Sequence, residues 1–154
     1  MKWRFSTNQS MIVLAAAVIA SPVLADNCSG EFAFQGTGNS TAAVSAGKVV
    51  TWTSASTVSS TNTPYNGIGT CSGFSYEKDG KTISSDVCLR VTADGDSWGT
   101  VGTMDSTKKR GEWRATFGTG KFAKNAGSTG WYEVVSQDEK GGKGRWGGNC
   151  LGVN

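Results

Sequence analysis

Residues Gly111–Val135 read GEWRATFGTGKFAKNAGSTGWYEVV, and the fold turns on how this stretch is read. Glu112, Arg114 and Thr116 alternate with Trp113, Ala115 and Phe117, the period of a strand with one buried face. Glycines at 118, 120 and 127 interrupt the alternation, and Thr129, Trp131, Tyr132, Val134 and Val135 resume the strand-forming composition. The stretch is therefore a strand, a glycine-rich loop and a second strand. Phe122, a lone large apolar residue in the loop, is expected to tuck back onto the core. GTGKF lacks the spacing of a phosphate-cradling loop and does not lead clearly into a helix, so the hairpin reading stands over the nucleotide-binding one.

Working outward, strands are expected at Glu31–Gln35, Lys48–Thr57, Ile68–Lys78, Lys81–Thr92, Trp98–Met104, Arg110–Phe117, Thr129–Ser136 and Gly144–Cys150. No window beyond residues 11–20 holds a helical period. The 22 glycines suit tight turns and bulges. The prolines, Pro22 and Pro64, interrupt none of the expected strands. Short, regularly spaced strands of this kind predict an all-β fold, a small antiparallel up-and-down β-barrel of about eight strands. A two-sheet sandwich is the alternative.

Cys28, Cys71, Cys88 and Cys150 allow three pairings. The turn signal Asp79-Gly80 favours one of them. If those two residues form the turn, Lys78 faces Lys81, and each step outward moves one residue along both strands until Cys71 faces Cys88. Seven steps out, the pair falls at a non-hydrogen-bonded position, where the Cα atoms approach most closely and a disulfide fits. Cys28 and Cys150 then join the two ends of the domain, pinning the first strand to the last. Zinc is the competing use of four cysteines, but no Cys-x-x-Cys pair occurs and the chain has no histidine. We expect no metal and no cofactor.

Lys2 and Arg4, the apolar run Met11–Ala20 and Val23-Leu24-Ala25 have the pattern of a secretory signal peptide over residues 1–25. This leaves residues 26–154 as a single β-barrel domain, periplasmic or secreted, where disulfides persist. The apolar run is short for a bilayer span, so no membrane insertion is expected after cleavage. The formal charge of +3 falls to near neutrality without Lys2 and Arg4, which argues against nucleic acid as a partner.

Gly118-Thr119-Gly120-Lys121-Phe122, together with Gly127, Gly130 and Tyr132, resembles the GTGKF hairpin of the allene oxide cyclase and dirigent-like β-barrel superfamily, of which bacteria carry secreted members. Asn125 stands where that family usually has glycine, and the match is confined to this hairpin. The resemblance implies a barrel fold, a homo-oligomer, and an isomerase or cyclase activity exerted by shape and water exclusion. It carries over no catalytic residue, because nothing here matches the positions that hold them.

The lack of histidine excludes Ser-His-Asp and Cys-His devices. The strand glutamates Glu31, Glu77, Glu112 and Glu133 are expected to face solvent, and Asp94-Gly95-Asp96 to be a turn, since the full calcium loop is missing. The aromatic residues are more informative. Trp52, Trp98, Trp113, Trp131 and Trp146 would line an apolar ligand-binding pocket if they point inward without filling the barrel, and would otherwise be core. The first functional reading is thus an exported barrel that binds a small apolar or aromatic ligand or serves a non-catalytic envelope role. The second is the cyclase-like enzyme. The third is an interaction module.

Overall fold

The computed structural model describes residues 26–152 except residue 45; the expected signal peptide at 1–25 lies outside the described residues. Eight strands follow in order: β1 (Cys28–Val44), β2 (Gly47–Ser59), β3 (Gly67–Lys78), β4 (Lys81–Val91), β5 (Ser97–Asp105), β6 (Gly111–Gly118), β7 (Thr129–Gln137) and β8 (Gly141–Asn149). Each pairs antiparallel with the next, and β8 pairs back onto β1, closing the barrel. Closure pairs Glu31–Gln35 of β1 on both sides, while Gly38–Val44 run on past β8 and pair with β2 alone; the closed ring settles the choice between barrel and sandwich.

The β3–β4 hairpin has the expected register. Asp79 and Gly80 both adopt positive φ (49° and 73°), the backbone of a two-residue type I′ turn. From Lys78↔Lys81 the pairing runs without a bulge to Ile68↔Val91, passing through Cys71↔Cys88. Those two cysteines are disulfide-bonded at a Cα separation of 4.0 Å, the close approach of a non-hydrogen-bonded pair. Cys28 and Cys150 form the second disulfide beside the β1–β8 seam, where Asn27 also pairs with the Cys150 backbone in both directions, through Nδ2 (3.1 Å) and Oδ1 (2.7 Å).

Two expectations require correction. First, Phe117 does not share a face with Trp113 and Ala115. Gly99 pairs with Phe117 but Thr100 pairs with Ala115, so one extra residue, Thr116, sits in β6. This bulge turns Phe117 to the outer face, where it is 44% exposed. Second, the glycines do more than form turns. Many lie inside strands, opposite a large inward side chain of the neighbouring strand. An ideal Cβ on Gly73 would lie 2.7 Å from the Trp52 ring, on Gly144 2.4 Å from Phe32, on Gly111 2.4 Å from Tyr132, and on Gly130 2.6 Å from Trp113. The rings lie across the space that a side chain would fill.

One end of the barrel is sealed. Phe122, on a short 3-10 turn (Gly120–Phe122) between β6 and β7, is fully buried, as expected from its isolation in the sequence. It packs with Tyr65, Trp98, Trp146 and the Cys28–Cys150 pair, with ring centroids 4.6 Å from Trp98 and 5.0 Å from Tyr65. The other end carries the β1–β2, β3–β4, β5–β6 and β7–β8 connections. The outer face of β3 and β4 is apolar, with Ile68, Phe74, Ile83, Val87, Leu89 and Val91 all exposed. The only helix among the described residues is the three-residue turn, and none is long and apolar enough to cross a membrane.

The ring–glycine complementarity can be tested at Gly99, where the three atoms nearest to an added Cβ all belong to the Phe117 ring, the first 2.2 Å away. Gly99→Ala is expected to cost about 1–3 kcal/mol by overpacking, and most of that cost should disappear in a Phe117→Ala background. Urea melts of the four proteins would check this double-mutant cycle, and additive costs would refute the complementarity. In the chain-entropy model, losing the Cys28–Cys150 bond should cost about 4–5 kcal/mol and losing Cys71–Cys88 about 3 kcal/mol. Melting temperatures of the two double-serine variants should fall in that order.

Candidate functional site

Strand alternation gives every barrel strand an inward set, and these sets enclose a cavity of about 590 Å³, within the range of small-molecule sites. Its floor is the aromatic plug, through Tyr65, Trp98, Trp146 and Asn125. Its mouth is rimmed by Asn39, Glu77, Thr82 and the β7–β8 turn residues Asp138, Glu139 and Lys140. The two walls differ in character. The β6–β8 side and β1 contribute Trp113, Tyr132, Val134, Trp146, Phe32 and Phe34. The β2–β5 side contributes Ser54, Ser56, Ser75, Ser84, Thr100, Asp86, Arg90 and the Cys71–Cys88 bridge, with Val50, Val58 and Met104 and with Trp52 set over Gly73.

Of the tryptophans singled out from the sequence, Trp52, Trp98, Trp113 and Trp146 line this cavity. Trp98 and Trp146 also belong to the plug, so core packing and pocket lining apply to the same rings. Trp131 is a correction: it faces outward, since its neighbours Gly130 and Tyr132 take the inward positions of β7. Its Nε1 donates to Asp26 (2.8 Å), and the Arg110 guanidinium stacks 3.9 Å from its ring centroid.

Sequence reasoning missed the charged residues of the cavity. Asp86 and Arg90 flank Cys88 at two-residue spacing on β4, so assigning the disulfide to the interior places both inside by alternation. They sit on either side of the bridge. Asp86 Oδ1 is 3.5 Å from Cys88 Sγ, and Arg90 Nη2 is 3.6 Å from Cys71 Sγ. Arg90 Nη1 donates to Thr100 Oγ1 (3.1 Å) and Nη2 to Ser56 Oγ (3.5 Å), while Nε is buried with no hydrogen-bond partner. Burial lowers the Arg90 pKa to about 10, with Asp86 opposing the shift, so the guanidinium stays charged at neutral pH. Burial raises the Asp86 pKa, with Arg90 opposing. The Tyr132 hydroxyl is pushed up by burial and then by Asp86. Near the floor, Tyr65 donates to Asn125 Oδ1, and burial raises its pKa to about 12 against a hydrogen bond with Ser128. Among the described residues, no three His, Cys, Asp or Glu side chains gather as a metal site.

The turn Asp94-Gly95-Asp96 holds the plug loop in place. Lys121 Nζ meets Asp94 Oδ2 at 2.6 Å, and the Lys121 backbone N–H donates to Asp96 Oδ2 at 3.1 Å. Thus the lysine of GTGKF anchors the loop while the phenylalanine seals the floor. No family model matches the chain, and no curated protein or solved structure matches it.

The loop anchor has a pH signature. Hydrogen bonds from Lys121 and then Thr92 hold the Asp94 pKa down to about 2, below the ordinary value of about 4 that it recovers on unfolding. A depressed carboxylate contributes stability that is full above about pH 4 and is lost as pH falls toward about 2. Asp105, held down by the Thr107 N–H and hydroxyl, and Glu133, held down by Arg145, add to the same acid slope. Lys121→Met should therefore lower the melting temperature at pH 6 slightly and flatten, without abolishing, its fall between pH 4 and pH 2. An unchanged acid slope would show that the ion pair contributes nothing.

Proposed function

We propose that this chain is an exported barrel, periplasmic or secreted, that binds one small apolar or aromatic molecule in its interior. One observation carries the reading: the cavity is sealed at one end by an aromatic plug, rimmed by polar residues at the other, and walled by rings held in place by facing glycines. Two disulfides suit an oxidising compartment, and the signal-like residues 1–25 supply the route. The GTGKF hairpin and the eight-stranded closure support kinship with the allene oxide cyclase and dirigent-like barrels.

A second reading, an isomerase or cyclase of that kind, draws on one specific observation. The cavity holds a carboxyl group of raised pKa, Asp86, together with the Tyr132 hydroxyl and the Arg90 cation. A desolvated acid of this kind has the means to move a proton. A third, as a homo-oligomeric interaction module, draws on the exposed apolar face of β3 and β4.

The neutral probe N-phenyl-1-naphthylamine should bind the wild-type protein one to one with enhanced fluorescence. Ser75→Trp, which places a ring in the lumen near the mouth, should weaken binding about tenfold or more at an unchanged melting temperature. Absence of binding, or binding indifferent to that variant, would refute the cavity reading. Mass spectrometry of molecules carried by the wild type and by Asp86→Asn separates the first two readings. The same molecule in both supports binding alone, and isomeric molecules support turnover.

A further inference from the structure

We propose that Arg90 anchors an anion subsite deep in the cavity, and that the ligand is a flat, apolar-bodied monoanion, such as an arylcarboxylate or arylsulfonate, that enters anion first. This rests on the cavity being a ligand site. The guanidinium lines that cavity, and its register partner Trp98 belongs to the plug. Of its five N–H donors, one meets Thr100, one meets Ser56, and one makes a long contact with the Cys71 sulfur. These acceptors are neutral, and among the described residues no carboxylate comes within 4.0 Å in the manner of the protein's ion pairs. A buried cation whose hydrogen bonds go only to hydroxyls and sulfur, with Asp86 acting on it from beyond ion-pair distance, is left short of direct negative charge.

The surrounding groups bear this out. Among the described residues, the buried side-chain polar atoms without hydrogen-bond partners are Arg90 Nε, Asn125 Nδ2 and Trp146 Nε1. All are donors, and all belong to residues lining the cavity. Asp86 lies nearer the mouth and is the one carboxylate among the wall residues below the rim. It rests against the β5 wall, where a Cβ on Gly102 would lie 2.9 Å from both of its carboxylate oxygens, which leaves the lumen open past it. The rim carries Glu77, Asp138 and Glu139 against Lys140, so charge selection falls to Arg90 rather than to the mouth. Above Arg90, the wall formed by Trp113, Tyr132, Phe32 and Phe34 provides the apolar surface for the body of the ligand.

The test compares 1-anilinonaphthalene-8-sulfonate with N-phenyl-1-naphthylamine, which share a ring system and differ in the anion. The wild type should bind the sulfonate about tenfold or more tightly than the neutral probe, as a charge-assisted contact would give. Arg90→Met should erase the difference by weakening the sulfonate. Asp86→Asn, which removes the opposing charge but keeps the shape, should tighten the sulfonate alone by about threefold, and it decides the matter if Arg90→Met does not fold. Ser75→Trp should block both probes. Equal binding of the two probes, unaffected by Arg90→Met or Asp86→Asn, would overturn the anion subsite while the cavity reading stands. Sulfonate binding that survives Ser75→Trp would place that probe on the apolar outer face and also overturn the subsite. Failure of both probes to bind would sink the cavity reading itself.

Discussion

A ring can lie flat across a neighbouring strand only where that strand has no Cβ, and this steric constraint shapes the whole interior. Trp52 over Gly73, Phe32 over Gly144, Tyr132 over Gly111 and Trp113 over Gly130 are one solution repeated around the barrel. Each pair lays an aromatic face against the wall instead of driving it into the lumen. Side chains of the same size opposite ordinary residues would meet at the axis and fill it. The strand glycines thus exchange backbone entropy and β-propensity for an open centre, and the closed hydrogen-bonded ring of strands holds them in place.

The charged pair depends on the same wall. Asp86 and Arg90 are near enough for each to shift the other's titration, yet the disulfide lies between them and each touches a sulfur rather than its opposite charge. A covalent bridge keeps the strands at fixed spacing while two charges are held apart in a low-dielectric interior. A direct ion pair there would neutralise the site. Separated, the two groups leave the cavity with an electrostatic direction from mouth to floor.

Much of this was legible beforehand. The Asp79-Gly80 turn fixed the register of β3–β4, and with it Cys71 opposite Cys88, because a two-residue turn with positive φ allows no slippage. The burial of Phe122 was recognisable because a single large apolar residue in a polar loop packs back onto the core, though its place at the sealed end of the barrel was not. The phase of Phe117 was not legible, since a bulge at Thr116 depends on pairing with Gly99 and Thr100, and nothing local marks it. Trp131 was indistinguishable from its inward counterparts, because β7 mixes apolar residues on both faces. Asp86 and Arg90 were overlooked for a related reason. On β3 and β4 the large apolar residues face out while Ser75, Glu77, Ser84, Asp86, Arg90 and the two cysteines face in, so hydropathy alone points to the wrong side of the sheet.

The seam between β1 and β8 also orders events in time. Cys28 cannot meet Cys150, nor β1 its final partner, until nearly the whole chain has arrived. The hairpins β3–β4 and β5–β6 need only neighbouring residues and can form early, but the ring has a gap until its last strand docks. Non-local closure of this kind is slow compared with local pairing. For that interval the free edge of β1 is open to pairing with another chain, and the seam disulfide makes the eventual closure durable once the two ends have met.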